Sequence, residues 1–335
     1  METSATRIAM IGCGGMARTH MQHMLKSPQK NQFVVVSEPS EQSYAALDKL
    51  FSAAGVPTPP NQPDLARMLD EYAGKLDAAF IVTPHIYHFD QAQRCLDAGL
   101  DVLLEKPMVM NQQEAIDLIA ARDRSKRHLV VAFNGSLSPR IRAASAMLRS
   151  GEIGKIQSIS AAVWQNWGTA THGLWRQDPV IAGGGFMFDT GAHMLNTVCD
   201  LAGEDFVEVS AWLDNLARPV DIIGVVIGRL ASGALVTMHA CGETIHTWDS
   251  DVKIFGTQAI IRTDVWGKFL ELQRDGERVF TPIEFVDPPT VWEQFLSMRA
   301  GEMENVSPPE VGLRMAKLWD AIQESARNQG RSVMV

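Results

Sequence analysis

The chain has 335 residues, 30 of them basic and 39 acidic, for a formal charge of −9; a nucleic-acid partner, which needs a basic surface, is excluded. Its apolar content of 46% suits a globular protein with room for two cores, and no window approaches the roughly 18 uninterrupted apolar residues of a bilayer span. Cys13, Cys95, Cys199 and Cys241 lack disulfide or metal-ligand spacing, and METSATRIAMIG has no basic segment ahead of a separate apolar one, so a cytoplasmic protein with no metal, membrane anchor or export leader is expected.

In chain order, strand and helix patterns alternate over the first 133 residues. RIAMIG (7–12) is a short apolar run stopped by glycine, and residues 15–26 have helical spacing. FVVVS (33–37) is apolar on consecutive positions, as a parallel strand covered on both faces requires. SYAALDKLFSAAG (43–55) predicts a helix, AAFIVTP (78–84) a strand, FDQAQRCLDAG (89–99) a helix, DVLLEKP (101–107) a strand, QQEAIDLIAARDR (112–124) a helix and HLVVAFN (128–134) a strand. The alternation implies βαβ units and a parallel sheet.

After Asn134 the rhythm changes. A helix over 140–150 closes on Gly151, and β-rich segments follow at 155–164, 206–213, 221–240 and 253–264. VVIGRL and ALVTMHA read as a hairpin around Ala231-Ser232-Gly233. These segments predict an antiparallel or mixed sheet in an α+β domain. Ser307-Pro308-Pro309-Glu310 has capping-box spacing and opens a last helix. The boundary falls near 130–136, dividing the chain into 1–133 and 134–335.

Three stretches carry chemistry. Gly12-Cys13-Gly14-Gly15-Met16-Ala17, at the first strand-to-helix turn, has the spacing G-x-G-x-x-A. Gly12 permits the tight turn, Gly14 lets backbone approach a pyrophosphate held at the helix N-terminus, and Ala17 allows close packing. A purely structural turn shares the bare spacing, but Glu38 ends the second strand where an acid grips the adenosine ribose. That carboxylate repels a 2′-phosphate, and Pro39-Ser40-Glu41-Gln42 offers no cation to receive one, so NAD is favoured over NADP. Glu105-Lys106-Pro107 ends the fourth strand, at the edge where ligands of open parallel sheets bind; a surface lysine before a helix-starting proline is the alternative. The third stretch is GGGFMFDTGAHMLN (183–196). Its glycines let backbone lie close to a ring or cofactor, and a helix would bring Asp189 and His193 onto one face.

Together GCGGMA, TPHIYHFDQAQRCLDAGLDVLLEKPM and GGGFMFDTGAH resemble the Gfo/Idh/MocA family of NAD(P)-dependent oxidoreductases, over nearly the whole chain. The resemblance implies a Rossmann doubly wound domain over 1–133 and a substrate-binding and oligomerisation domain over 134–335. The latter would have a large open, mostly antiparallel sheet, commonly with substrate on one side and homodimer or homotetramer contacts on the other. It suggests a cis bond before Pro107 and brings Gly15, Met16, Thr83, Pro84, His88 and Glu105 beside the cofactor. The family's lysine–aspartate–histidine set carries over onto Lys106, Asp189 and His193. His193 is then the general base in oxidation, Lys106 holds the reacting oxygen, and Asp189 orients a neighbouring hydroxyl. Two positions depart from many relatives: Asn196 stands where they carry an acid, and His85 where they carry Asn.

In VWQNWGTATHGLWRQDP (163–179), Trp164, Trp167 and Trp175 are candidate sugar platforms, or else core or interface; Asn166, His172 and Arg176 could read hydroxyls. Asn134 and Arg140 are weaker candidates for the cleft wall. The expected function is NAD-dependent oxidoreduction of a secondary alcohol of a sugar, cyclic polyol or inositol-like compound. The alternatives are glycoside cleavage through transient oxidation, and a non-catalytic cofactor sensor.

Overall fold

The computed structural model describes residues 5–26 and 31–335; residues 1–4, on which the expectation of no export leader partly rests, lie outside the described residues. Five parallel strands form the first sheet: β1 (Thr6–Ile11), β2 (Asn31–Ser37), β3 (Ala78–Ile81), β4 (Asp101–Leu104) and β5 (Leu129–Val131), in the order β2-β1-β3-β4-β5. The chain winds outward from β1 to β2 and then returns to lay β3 on the other side of β1. A crevice at that switch, beyond the carboxyl ends of the strands, is the ligand position of such sheets. Every residue of β3 and β4 is buried, which is why these strands are apolar apart from Asp101, whose carboxylate Arg299 pairs.

The helices over Gly15–Met24, Glu41–Ala53, His88–Asp97 and Gln112–Ser125 follow the sequence expectation within one or two residues. Leu65–Glu71 is an additional helix, capped by the Asp64 carboxylate on the Arg67 N–H. With Met68 its one buried residue, it has too little periodicity to be read in sequence.

The chain divides into two compact units. The first contains the described residues through Met108, Gln113–Ala132 and also Pro289–Pro309. That last segment holds the helix Val291–Arg299, opened by a true capping box between Thr290 and Glu293. Its Trp292 stacks on Phe80 with ring centroids 6.1 Å apart and donates its indole N–H to Asn31 Oδ1 at 2.6 Å. Arg299 adds a 2.7 Å bond to Asp101.

The second unit contains Val109–Gln112, Phe133–Pro288 and Glu310–Val335. Its nine-stranded sheet comprises β6 (Ile156–Gln165), β7 (Phe206–Asp214), β8 (Ile223–Leu230), β9 (Leu235–Cys241), β10 (Trp248–Gly256), β11 (Ala259–Thr263), β12 (Leu270–Arg274), β13 (Thr281–Pro282) and β14 (Val333–Met334). The order is β13-β12-β11-β10-β6-β9-β8-β7-β14, antiparallel throughout except for the parallel pair β6–β9. The expected hairpin joins β8 to β9, with Gly233 at φ +91°. Side chains alternate across the strands: Ala161, Val226, Met238 and Val252 are buried on one face, while Trp212, Val225, Ile227 and Leu235 are exposed on the other.

One expected cap is absent. The last helix begins at Pro309, and the buried Ser307 hydroxyl makes no hydrogen bond among the described residues. Ser307 serves instead through its carbonyl, which accepts the Val131 N–H at the edge of the first sheet. No described helix is long and apolar enough to cross a membrane.

Candidate functional site

In the first unit the glycine-rich turn has the form a dinucleotide needs. Gly12 sits at φ +90°, and a Cβ there would lie 2.4 Å from the Val82 carbonyl oxygen, so only glycine fits where β1 and β3 end side by side. A Cβ at Gly14 or Gly15 would meet nothing within 4 Å. The helix that follows has no side-chain cap and no acid in its first turn, leaving its positive end to a ligand anion. Ala17 is fully buried and Met16 half exposed. These residues fit a pyrophosphate.

Glu38 directly follows β2 and is tied to the turn. Its Oε2 accepts the Cys13 N–H at 2.7 Å and its Oε1 the Ser40 N–H at 2.8 Å. Asn61 clamps the Glu38 backbone from both sides. Burial pushes the Cys13 thiol up to about 12, so this cysteine is inert. Thr83, whose methyl abuts Gly12, bonds Gln91, and Pro84 follows it at the mouth of the turn.

The structure corrects the expectation for His88. It is fully buried and cannot face a cofactor; its two ring nitrogens face the Pro107 carbonyl at 2.8 Å and the Thr83 carbonyl at 2.9 Å. Burial lowers its pKa against the pull of those carbonyls, so the neutral ring donates from one nitrogen at a time. Its role is to brace the ends of β3 and β4. Glu105 is similarly committed: Oε1 meets His20 Nε2 at 2.6 Å and Oε2 accepts the Lys106 N–H. Burial alone would raise the Glu105 carboxyl, but the His20 bond and the charges of His20 and Lys106 hold it below the usual range. His20, which no motif marked, thus links the first helix to the Glu105-Lys106-Pro107 turn. The peptide before Pro107 is cis, as the resemblance suggests, and Lys106 is part-exposed.

In the second unit, Asp189 and His193 do not share a helix. The helix runs Gly191–Ala202, and Asp189 stands in the turn before its cap, Thr190. Nor do the three glycines make room for a ligand. A Cβ on Gly185 would lie 1.9 Å from the Asp221 carbonyl oxygen, one on Gly184 2.5 Å from Trp319, and one on Gly183 3.0 Å from Met110. The segment is pressed against its own protein. Asp221, absent from the sequence reading, organises it by accepting the N–H groups of Gly185 and Met187 at 2.7 and 2.9 Å. Burial pushes the Asp221 carboxyl up, and these two amides oppose that.

Asp189 is buried, and its Oδ2 accepts from Trp167 Nε1 at 2.9 Å and from Arg176 Nε at 3.0 Å. Two expectations change accordingly. Trp167 is a core residue that aims Asp189, not a sugar platform, and Arg176 acts first as the carboxylate's partner, its guanidinium 4.5 Å over the Trp175 ring. Thr190 donates to Gln165 at 3.1 Å, which fixes the buried face of β6 as the side of this segment. By strand alternation Trp164 points to the opposite, open face; it cannot be a platform beside His193. Asn166 stands just before a short helix over Trp167–Ala170 without a side-chain cap bond to it, and His172 is exposed beyond it. Asn134 is exposed at the start of another short helix, and Arg140 leaves the cleft wall to bind the Phe285 carbonyl and Asp287.

The His193 ring lies 6.2 Å from Phe133 and 6.2 Å from Trp266. Trp266 meets Trp248 edge-on at 5.3 Å, and the Lys268 ammonium sits 3.7 Å over Trp248 and 4.6 Å over Trp266. This aromatic wall was missed in the sequence because sheet pairing, not spacing, brings it to His193. The departure at Asn196 has a structural explanation: its amide bonds Ser136 and Asp200, and Asp200 pairs with Arg314, anchoring the helix that carries His193.

Two family models match the chain: "Oxidoreductase family, NAD-binding Rossmann fold" over residues 6–133 and "GFO/IDH/MocA C-terminal domain" over residues 141–262. Among curated proteins, Oxidoreductase P35 of Formosa agariphila is 28% identical over 65% of this chain and 67% of its own length. Levoglucosan dehydrogenase of Pseudarthrobacter phenanthrenivorans is 30% identical over 44% of this chain and 40% of its own length. The crystal structure of an inositol dehydrogenase homolog from Azotobacter vinelandii, complexed with NAD+, superposes with a TM-score of 0.85 at 17% identity, covering 99% of this chain and 98% of that one.

Proposed function

The chain belongs to the GFO/IDH/MocA family of oxidoreductases with an NAD-binding Rossmann fold, and from that premise we propose that it oxidises or reduces a secondary alcohol of a sugar, cyclic polyol or inositol-like compound with NAD. Oxidising such an alcohol takes a hydride from carbon and a proton from oxygen. Bound NAD supplies the hydride acceptor. The His193 imidazole takes the proton, and returns it in the reverse direction, because an imidazole titrates near neutrality. Lys106 holds the reacting oxygen and favours its developing negative charge. Asp189 receives a neighbouring hydroxyl, and its bonds to Trp167 and Arg176 hold the carboxylate in one orientation before substrate arrives. Trp266 and Trp248 replace Trp164 as the aromatic surface for a ring's C–H face.

The observation that carries this reading is the braced Asp189, four residues ahead of His193, in a chain whose first unit holds a dinucleotide turn. The test is a spectrophotometric screen of polyols and aldoses with NAD, followed by His193→Ala on the active substrate. Turnover should fall about 10²–10⁴-fold, the usual worth of a positioned acid–base group, with NAD affinity retained. Near-normal turnover of the variant rejects the role. Glycoside cleavage without net NADH in the same screen would replace the dehydrogenase reading with transient oxidation.

A further inference from the structure

The first unit has a second concavity, at the end of the parallel sheet opposite the glycine-rich turn. It forms where the chain enters its strands, with Arg7 at the start of β1, Asp77 ahead of β3, Gly99 and Leu100 ahead of β4, and Arg127 ahead of β5. The cavity is about 340 Å³, the size of pockets that take small organic molecules. The six residues of β1 separate it from the dinucleotide turn by about 20 Å at ~3.3 Å per residue.

Its charges do not cancel. Arg7 is consumed, bonding Asp77 at 2.7 and 3.1 Å and the Gly74 carbonyl at 3.0 Å. Arg299 is anchored by Nε to Asp101 at 2.7 Å and by Nη1 to Thr6 at 3.2 Å, and its Nη2 has no bond among the described residues. Arg127 has neither a carboxylate nor a hydrogen-bond acceptor among them. Its guanidinium lies across Gly99, where a Cβ would stand 3.7 Å from Nη2 and where φ is +80°, so the space before it is kept free of a side chain. Two arginine–carboxylate pairs therefore leave one uncompensated guanidinium in a protein of net charge −9. The rest of the lining is apolar: Leu76 and Leu100 are nearly buried, and the Tyr72 ring stands beside them.

We propose that this cavity binds a small organic anion, a carboxylate or phosphate monoester on a compact apolar body. Arg127 and the remaining nitrogen of Arg299 take the headgroup, since planar guanidinium donors match both anions. Tyr72, Leu76 and Leu100 take the body. This site is independent of the proposed dehydrogenase chemistry.

The test uses phenyl phosphate and benzoate as probes, titrated calorimetrically into full-length protein saturated with NADH, so that the dinucleotide turn is already filled. At least one probe binds, and Arg127→Ala weakens it at least tenfold while NADH affinity and the unliganded melting temperature stay unchanged; Arg127 is exposed, so the variant keeps its fold. Inorganic phosphate binds more weakly than phenyl phosphate. No binding of either probe at millimolar concentration, equal binding by Arg127→Ala, or binding abolished by NADH would each overturn the site. Equal affinity for inorganic phosphate would overturn an organic ligand.

Discussion

Glu38 illustrates how one side chain serves a turn and a ligand. By accepting the Cys13 and Ser40 amides it is held just past the end of β2, beside the glycine-rich turn. A 2′-phosphate brought to that carboxylate meets repulsion, and Pro39-Ser40-Glu41-Gln42 supplies no cation to offset it. Fluorescence titration should give NAD at least about tenfold tighter binding than NADP, a difference of ~1.4 kcal/mol; tighter NADP overturns this. Gly12 and Glu38 were legible in the sequence because each answers a local rule, a positive φ or an acid a fixed distance past a glycine turn. Asp221, His20, Trp248 and Trp266 were not, since their partners lie far along the chain. His88 misled for a related reason. A histidine at a helix start looks the same in sequence whether it faces a cofactor or two buried carbonyls.

The segment from Gly183 to Thr190 is the element on which the site depends. The sequence pattern predicts a helix from Phe186 onward, but the helix waits until Gly191, after glycines that are folded against Asp221, Trp319 and Met110. Gly185→Ala would drive a methyl into the Asp221 backbone, which cannot rotate away as a side chain could. The expected loss is more than about 3 kcal/mol, read as a fall in the chemical-denaturation midpoint, and activity should fall with it. A variant with wild-type stability would show that the segment shifts freely. The strands were more legible than this turn: alternating burial and the Gly233 hairpin follow from residue pattern alone. The two-residue strands β13 and β14 are too short to leave such a pattern.

At the scale of the molecule, one face of the second sheet exposes large apolar side chains: Trp212, Ile227 and Leu235 are 51%, 47% and 50% exposed there. Large exposed apolar side chains, here interleaved with Ser210, Thr237 and Arg229, are common at protein interfaces, and we propose that this face joins copies of this chain in a symmetric assembly. Sedimentation velocity at micromolar concentration should find a dimer or tetramer, and Ile227→Glu should reduce its mass; a monomeric wild type overturns the proposal. The two-part organisation was readable from the change of rhythm after Asn134, but the return of Pro289–Pro309 to the first unit was not, because that helix has no strand alternating with it. Trp292, sealed against Phe80 and Asn31, gives that return a temporal meaning. As the polypeptide leaves the ribosome, the five strands of the first unit emerge before Phe133–Pro288, and the wedge that completes them emerges only after it. The first unit therefore cannot finish maturing until most of the second has been made.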